Sequence, residues 1–193
     1  MYDNVMNKFV WGGLNDPRVY LDQNNLNMTM NFRFNFARLA DALLDEGKRD
    51  SSIKILDKAM EVMPDKTVPF NISCLRLIDT YYRIGLVAQK MDSGAAAADV
   101  ESLRMSAKGS FDKGNAILNR LAEITDDDLN YYFSLVGTQY FANVERELNQ
   151  SMAVLMELVR MSKNAGQTEA HKAAEARFKK FEARYQQSGA SPN

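Results

Sequence analysis

Residues 33–66 read RFNFARLADALLDEGKRDSSIKILDKAMEVMPDK, and the spacing within this stretch decides the fold. From Asn25 onward, Leu26, Met30, Phe34, Ala37, Leu39, Ala40, Leu43 and Leu44 fall mostly three or four apart, the period that gathers apolar side chains on one helix face. Gly47 is placed to stop that helix, and Asp50 or Ser51 to cap a second one. The second carries Ile53, Leu56, Ala59, Met60 and Met63 on its stripe and ends at Pro64. Two helices joined by a tight glycine turn make an antiparallel hairpin.

Phe36, Leu39, Ala40, Leu43, Gly47, Ser52, Ile53, Leu56, Ala59 and Pro64 stand at the spacing of the tetratricopeptide repeat, a unit of about 34 residues. The physical content of that pattern is steric. Small residues at Ala40, Ser52 and Ala59 let the helices approach, Gly47 turns the chain, and Pro64 breaks it before the next unit. Ala40 replaces the usual Gly and Ser52 the usual Ala, and both positions stay small. A second, interrupted copy is expected over 71–125. Leu77, Ile78, Tyr81 and Tyr82 match its first helix, and Gly85 stands where Gly47 stood. Residues 88–109, with Ser93-Gly94 and the run Ala95 to Ala98, then either lengthen the partner helix or form a separate arm. Ala95 to Met105 is expected to be helical, with a kink or break at Gly109.

The remaining chain frames this core. Residues 1–24 are punctuated by Gly12-Gly13 and Asn15-Asp16-Pro17, so they read as an irregular lead-in whose Tyr2, Phe9, Trp11 and Tyr20 pin it to the body. After residue 125, Leu129 to Val136 are expected to run through Gly137 into a long helix, with Asn164-Ala165-Gly166 turning into a last one. That last helix carries the narrow stripe Ala170, Ala174, Phe178, Phe181 and Tyr185, expected to pack by one edge only. Residues 188–193 read as a disordered tail. The fold class is therefore all-α, of the right-handed α–α superhelix type, with one helical domain over 25–187.

Composition excludes several functions. Across 193 residues the formal net charge is −1, which gives no basic field for nucleic acid or anionic membranes. No segment approaches the length of continuous apolar sequence that spans a bilayer. The one cysteine, Cys74, lies in an apolar stretch and reads as a small core residue. The one histidine, His171, has no ligand-like neighbours and reads as a solvated helix residue. Asp126-Asp127-Asp128 precede an apolar helical segment, where capping is the better reading than a cation site. The basic faces of the last helices read as solvated, and Met28, Met30, Met60, Met63, Met152, Met156 and Met161 as core. No phosphate loop, nucleophile elbow or metalloprotease motif occurs, so the sequence offers no catalytic residue, metal ligand or cofactor site.

In the repeat reading, the first helix of each pair lines a concave face. Arg33, Arg38, Asp41 and Asp45 from one pair, with Arg76, Asp79, Tyr82 and Arg83 from the next, then form a mixed-sign surface suited to an extended peptide or a neighbouring domain.

Further strings carry a family resemblance: YDNVMNKF at 2–9, Trp11-Gly12, Asn15-Asp16-Pro17, VYLD at 19–22, Asn31-Phe32-Arg33, NFARLA at 35–40 and LNYY at 129–132. In these the chain resembles the C-terminal soluble region of large multi-pass membrane proteins of Bacteroidetes, a family of unknown function similar to protein O-mannosyltransferases. Residues 88–109 are the least comparable. The resemblance implies a non-catalytic accessory domain, periplasmic, of a glycosyltransferase-like protein of the inner membrane. It implies as partner a protein or peptide, or the membrane part of the parent chain itself. The alternative is a glycan- or lipid-headgroup-binding envelope domain using Trp11, Tyr20 and the basic terminal helix.

Overall fold

In a computed structural model, which describes residues 1–92 and 97–187, the chain is all-helical, with no strand among the described residues. A short π-helical turn, Asn4–Lys8, precedes α1 (Gln23–Asp45), α2 (Arg49–Val62), α3 (Cys74–Asp92), α4 (Ala97–Ser134), α5 (Glu145–Asn164) and α6 (Thr168–Gln187). Contacts divide the chain into two compact units, Met1–Gly114 and Asn115–Asn193, with the boundary inside α4. Ser93-Gly94, Ala95-Ala96 and the stretch 188–193 lie outside the described residues.

In the first unit, α1 opens on Asp22, whose carboxylate accepts from the Asn25 amide at 2.8 Å and so satisfies an orphan donor of the first turn. It closes at Gly47, where φ is +75°. Gly47 N donates to Leu44 O at 2.9 Å and Lys48 N to Leu43 O at 2.8 Å, the paired bonds of a Schellman ending. The chain re-enters a helix at Arg49 with Lys48 at the cap position and no side-chain cap, two residues before the expected Asp50 and three before Ser51. The facing surfaces of the hairpin are buried: Phe36, Ala37, Ala40, Leu43 and Leu44 on α1, and Ser52, Ile55, Leu56 and Ala59 on α2. α3 lies against both helices.

Three glycines behave differently from their sequence-based expectation. Gly85 does not end α3. It is buried in mid-helix, where a Cβ would stand 2.7 Å from the Phe111 ring of α4. Gly109 neither kinks nor breaks α4, which runs on to Ser134. Gly137 lies outside any helix, at φ +81°, in the turns between α4 and the short 3₁₀ turn Phe141–Asn143. The long helix expected from Leu129 through Val159 is thus two, because Gly137 takes a left-handed conformation that helices exclude.

The second unit is built from the end of α4 with α5 and α6. Gly166 closes α5 as Gly47 closes α1: Gly166 N donates to Lys163 O at 3.0 Å and Gln167 N to Ser162 O at 2.9 Å, with φ +67° at the glycine. α6 packs by one narrow stripe, as expected, and that stripe meets α4 as well as α5. Ala170, Ala174 and Phe181 are buried, and Phe181 stacks on Phe133 of α4 with centroids 5.9 Å apart. Asp126 caps nothing, since it lies inside α4. It pairs instead with Lys180 at 3.2 Å and Arg177 at 3.8 Å. Met28 and Met156, read as core, are exposed, whereas Met63 and Met161 are buried.

Candidate functional site

The predicted surface divides into residues that meet and residues that do not reach it. Asp41 on α1 faces α3 and accepts from Arg83 Nη1 at 2.6 Å, Thr80 Oγ1 at 3.0 Å and Arg76 Nη2 at 3.3 Å. Arg83 Nη2 reaches Asp45 at 2.8 Å. The spacing explains the meeting: 41 and 45 are one turn apart on α1, and 76, 80 and 83 share one face of α3. Arg38 and Asp79 are exposed. Four of the eight residues therefore form one ionic seam between α1 and α3.

Arg33 and Tyr82 are corrections. Arg33 is fully buried, and its guanidinium donates to the main-chain carbonyls of Pro69 at 2.8 Å, Met63 at 3.0 Å and Val68. It also lies over the Phe70 ring at 5.2 Å. Burial pulls it below the ordinary arginine range, opposed by its neighbours Cys74 and Asp65. Arg33 thus fastens the connection after α2 to α1, a role invisible at sequence level because that connection folds back over the helix. Tyr82 is buried against Phe111 at 6.2 Å between centroids and against Gly114, and burial raises its phenol.

A second feature escaped the predicted set. The lead-in packs on α1 through Trp11 and leaves a recess of about 470 Å³, walled by Phe9, Trp11, Phe32 and Phe36 and by the aliphatic Met1, Val5 and Leu39, with Asn35 and Arg38 also lining it. Phe32 and Phe36 are one turn apart on α1. Trp11 meets Phe36 at 5.1 Å between centroids, Phe9 at 5.8 Å and Phe32 at 6.0 Å. This agrees with the packing expected of Trp11. Its Nε1, however, is buried with no acceptor. The spacing of Phe9 with Trp11 and of Phe32 with Phe36 was the available signal, but without the packing of the lead-in on the helix it pointed to no shared site. Tyr20 is exposed and lines no part of this recess.

No family model, curated protein or solved structure matches this chain.

Elsewhere the chemistry is sparse. Among the described residues no group of three or more His, Cys, Asp or Glu side chains could hold a metal ion, and no helix is long and apolar enough to cross a membrane. Cys74 is buried and free, with its thiol pushed up by burial. His171 is half-buried, its Nδ1 3.3 Å from the Val159 carbonyl oxygen, so it serves the α5–α6 contact rather than solvent.

Proposed function

We propose that this chain is a non-catalytic, tetratricopeptide-like accessory domain that binds a protein or peptide. The observation that supports the reading is the side-by-side placement of α1 and α3, which the repeat reading makes the first helices of successive pairs, joined by the Asp41–Arg83 and Asp45–Arg83 bonds. In helical repeats such a row of first helices presents the binding face. The spacing over 33–66 supports the same reading.

The family strings extend the proposal: the domain belongs to a glycosyltransferase-like protein of the inner membrane, similar to protein O-mannosyltransferases, and faces the periplasm. Its ligand is then a protein, a peptide or the membrane part of the same parent. Affinity capture from a membrane extract with the wild-type chain and with Asp41→Ala/Arg83→Ala tests the binding role. A discrete partner retained by the first and lost by the second is expected. No partner, together with unchanged activity of the parent when this domain is deleted, would overturn the proposal.

A further inference from the structure

The recess against α1 has a chemistry that the ionic seam does not share. We infer that it binds an extended peptide segment presenting a bulky apolar side chain next to a carboxylate. The inference rests on the protein-binding reading above and names the place and the ligand class.

Size and wall composition come first. A recess of about 470 Å³ lies in the range of small-ligand sites, enough for one large side chain and its adjoining backbone but too small for a docked helix. Its walls are apolar, aromatic and aliphatic together, and two of the rings remain open to solvent, with Phe9 51% and Phe32 40% exposed while Phe36 is 3% exposed. An apolar side chain inserted between them removes that surface from water.

The polar groups then choose the neighbour of that side chain. Arg38 lines the recess and is exposed, with no ion-pair partner among the described residues, whereas Arg76 and Arg83 are bound to carboxylates. A guanidinium left open beside an apolar recess selects a carboxylate, which it holds through two parallel hydrogen bonds. Asn35 adds an amide that pairs with peptide backbone.

Other ligands fit less well. A sugar needs an open aromatic face and several hydrogen-bonding side chains, but Trp11 is engaged by three rings and the polar lining is Asn35 and Arg38. An acyl chain would fill the apolar walls but make no use of the Asn35 amide.

Trp11 is the sole tryptophan, so its fluorescence reports on the site directly. The experiment titrates the full chain with acetyl-Leu-Phe-Asp-amide, its Asn counterpart, decanoate and chitotetraose, and repeats the first titration on Arg38→Gln and Phe9→Ala. Saturable change with the Asp peptide is expected, with affinity about tenfold weaker for the Asn peptide and for Arg38→Gln, the equivalent of one lost charge-assisted bond, and weaker also for Phe9→Ala through lost apolar contact. Amide chemical-shift mapping of the wild type, expected to move Phe32 to Leu39, serves if a variant loses helicity. No saturation at millimolar peptide, equal affinity in Arg38→Gln, or saturation by decanoate or chitotetraose alone overturns the inference. A silent recess alongside partner capture lost in Asp41→Ala/Arg83→Ala would remove this site and leave the protein-binding proposal standing.

Discussion

The Ser52 hydroxyl of α2 donates to the carbonyl oxygen of Ala40 on α1 at 2.7 Å, with both residues fully buried. The two small side chains let the helices close on each other, and the hydroxyl adds a directional bond to a carbonyl that already serves α1. Ser52→Ala removes the bond and keeps the fit, so a loss of about 1 kcal/mol is expected. Ser52→Leu forces the helices apart and is expected to lose more, on the order of 2 kcal/mol. Urea unfolding followed by circular dichroism measures both, and an equal effect of the two would refute the close-approach argument.

Glycines in α3 and α4 should separate by environment. Gly85→Ala places a Cβ 2.7 Å from the Phe111 ring, and Gly114→Ala places one 2.7 Å from the Tyr82 ring. Rings held in a packed core do not yield cheaply, so each is expected to destabilise by about 1–3 kcal/mol, outweighing the helix propensity gained. Gly109 has nothing within 4 Å of its would-be Cβ, so there Ala is expected to stabilise by about 1 kcal/mol. Thermal melts of the three variants test the contrast in sign.

These same residues show what a sequence reading reaches. The hairpin of α1 and α2 was legible because its period, its glycine stop and its proline lie within one short stretch. Gly109 and Gly85 misled because a glycine in a helix costs only about 1 kcal/mol, which a long helix absorbs at Gly109 and packing against the Phe111 ring offsets at Gly85, and no local pattern reveals that ring. Asp126 misled similarly: acidic residues before an apolar run resemble a cap, but its partners Lys180 and Arg177 lie more than fifty residues away. Helical spacing put Asp41 with Asp45, and Arg76 with Arg83, on one face of each helix, but did not reveal that they pair with one another across α1 and α3. Arg33 and Tyr82 needed knowledge of what folds over them.

Arg33 should be intolerant even of lysine. Its guanidinium serves the carbonyls of Met63, Val68 and Pro69 together, and one ammonium cannot occupy that fork. Arg33→Lys is expected to cost about 2 kcal/mol and Arg33→Met about 3 kcal/mol, since each leaves buried carbonyls short of a donor. Amide exchange localises the damage: protection should fall first around residues 63–70. Uniform loss across α1 to α3 would instead point to general core disruption.

In the second unit, Arg184 lies over Phe133 at 4.6 Å and Phe181 at 5.6 Å while donating to Asn130 at 2.8 Å. Its planar cation stacks on two rings and still reaches an amide oxygen, a combination lysine does not reproduce. Arg184→Lys and Arg184→Ala are both expected to destabilise by about 1 kcal/mol. Arg184→Lys matching wild type in a urea melt would show that charge alone suffices there.

Alkaline stability follows from three buried acids. Burial raises Cys74, Tyr81 and Tyr82, and for Tyr81 the neighbouring Asp57 carboxylate adds to the effect. The unfolded chain releases these protons near the ordinary thiol and phenol values of about 8.5 and about 10, while the folded chain still holds them. Above those values the unfolded state binds fewer protons, so unfolding free energy falls with pH; below them this contribution is fully present and flat. Urea midpoints are therefore expected to be steady in this respect from neutrality to about pH 8 and to drop steadily beyond about pH 9. Tyr82→Phe removes one of the three ionisations and should shallow the decline, while Tyr81→Phe also frees Asp57 from its 2.8 Å bond and so carries a cost at neutral pH. A decline of unchanged slope in Tyr82→Phe would place the alkaline sensitivity in groups other than this buried tyrosine.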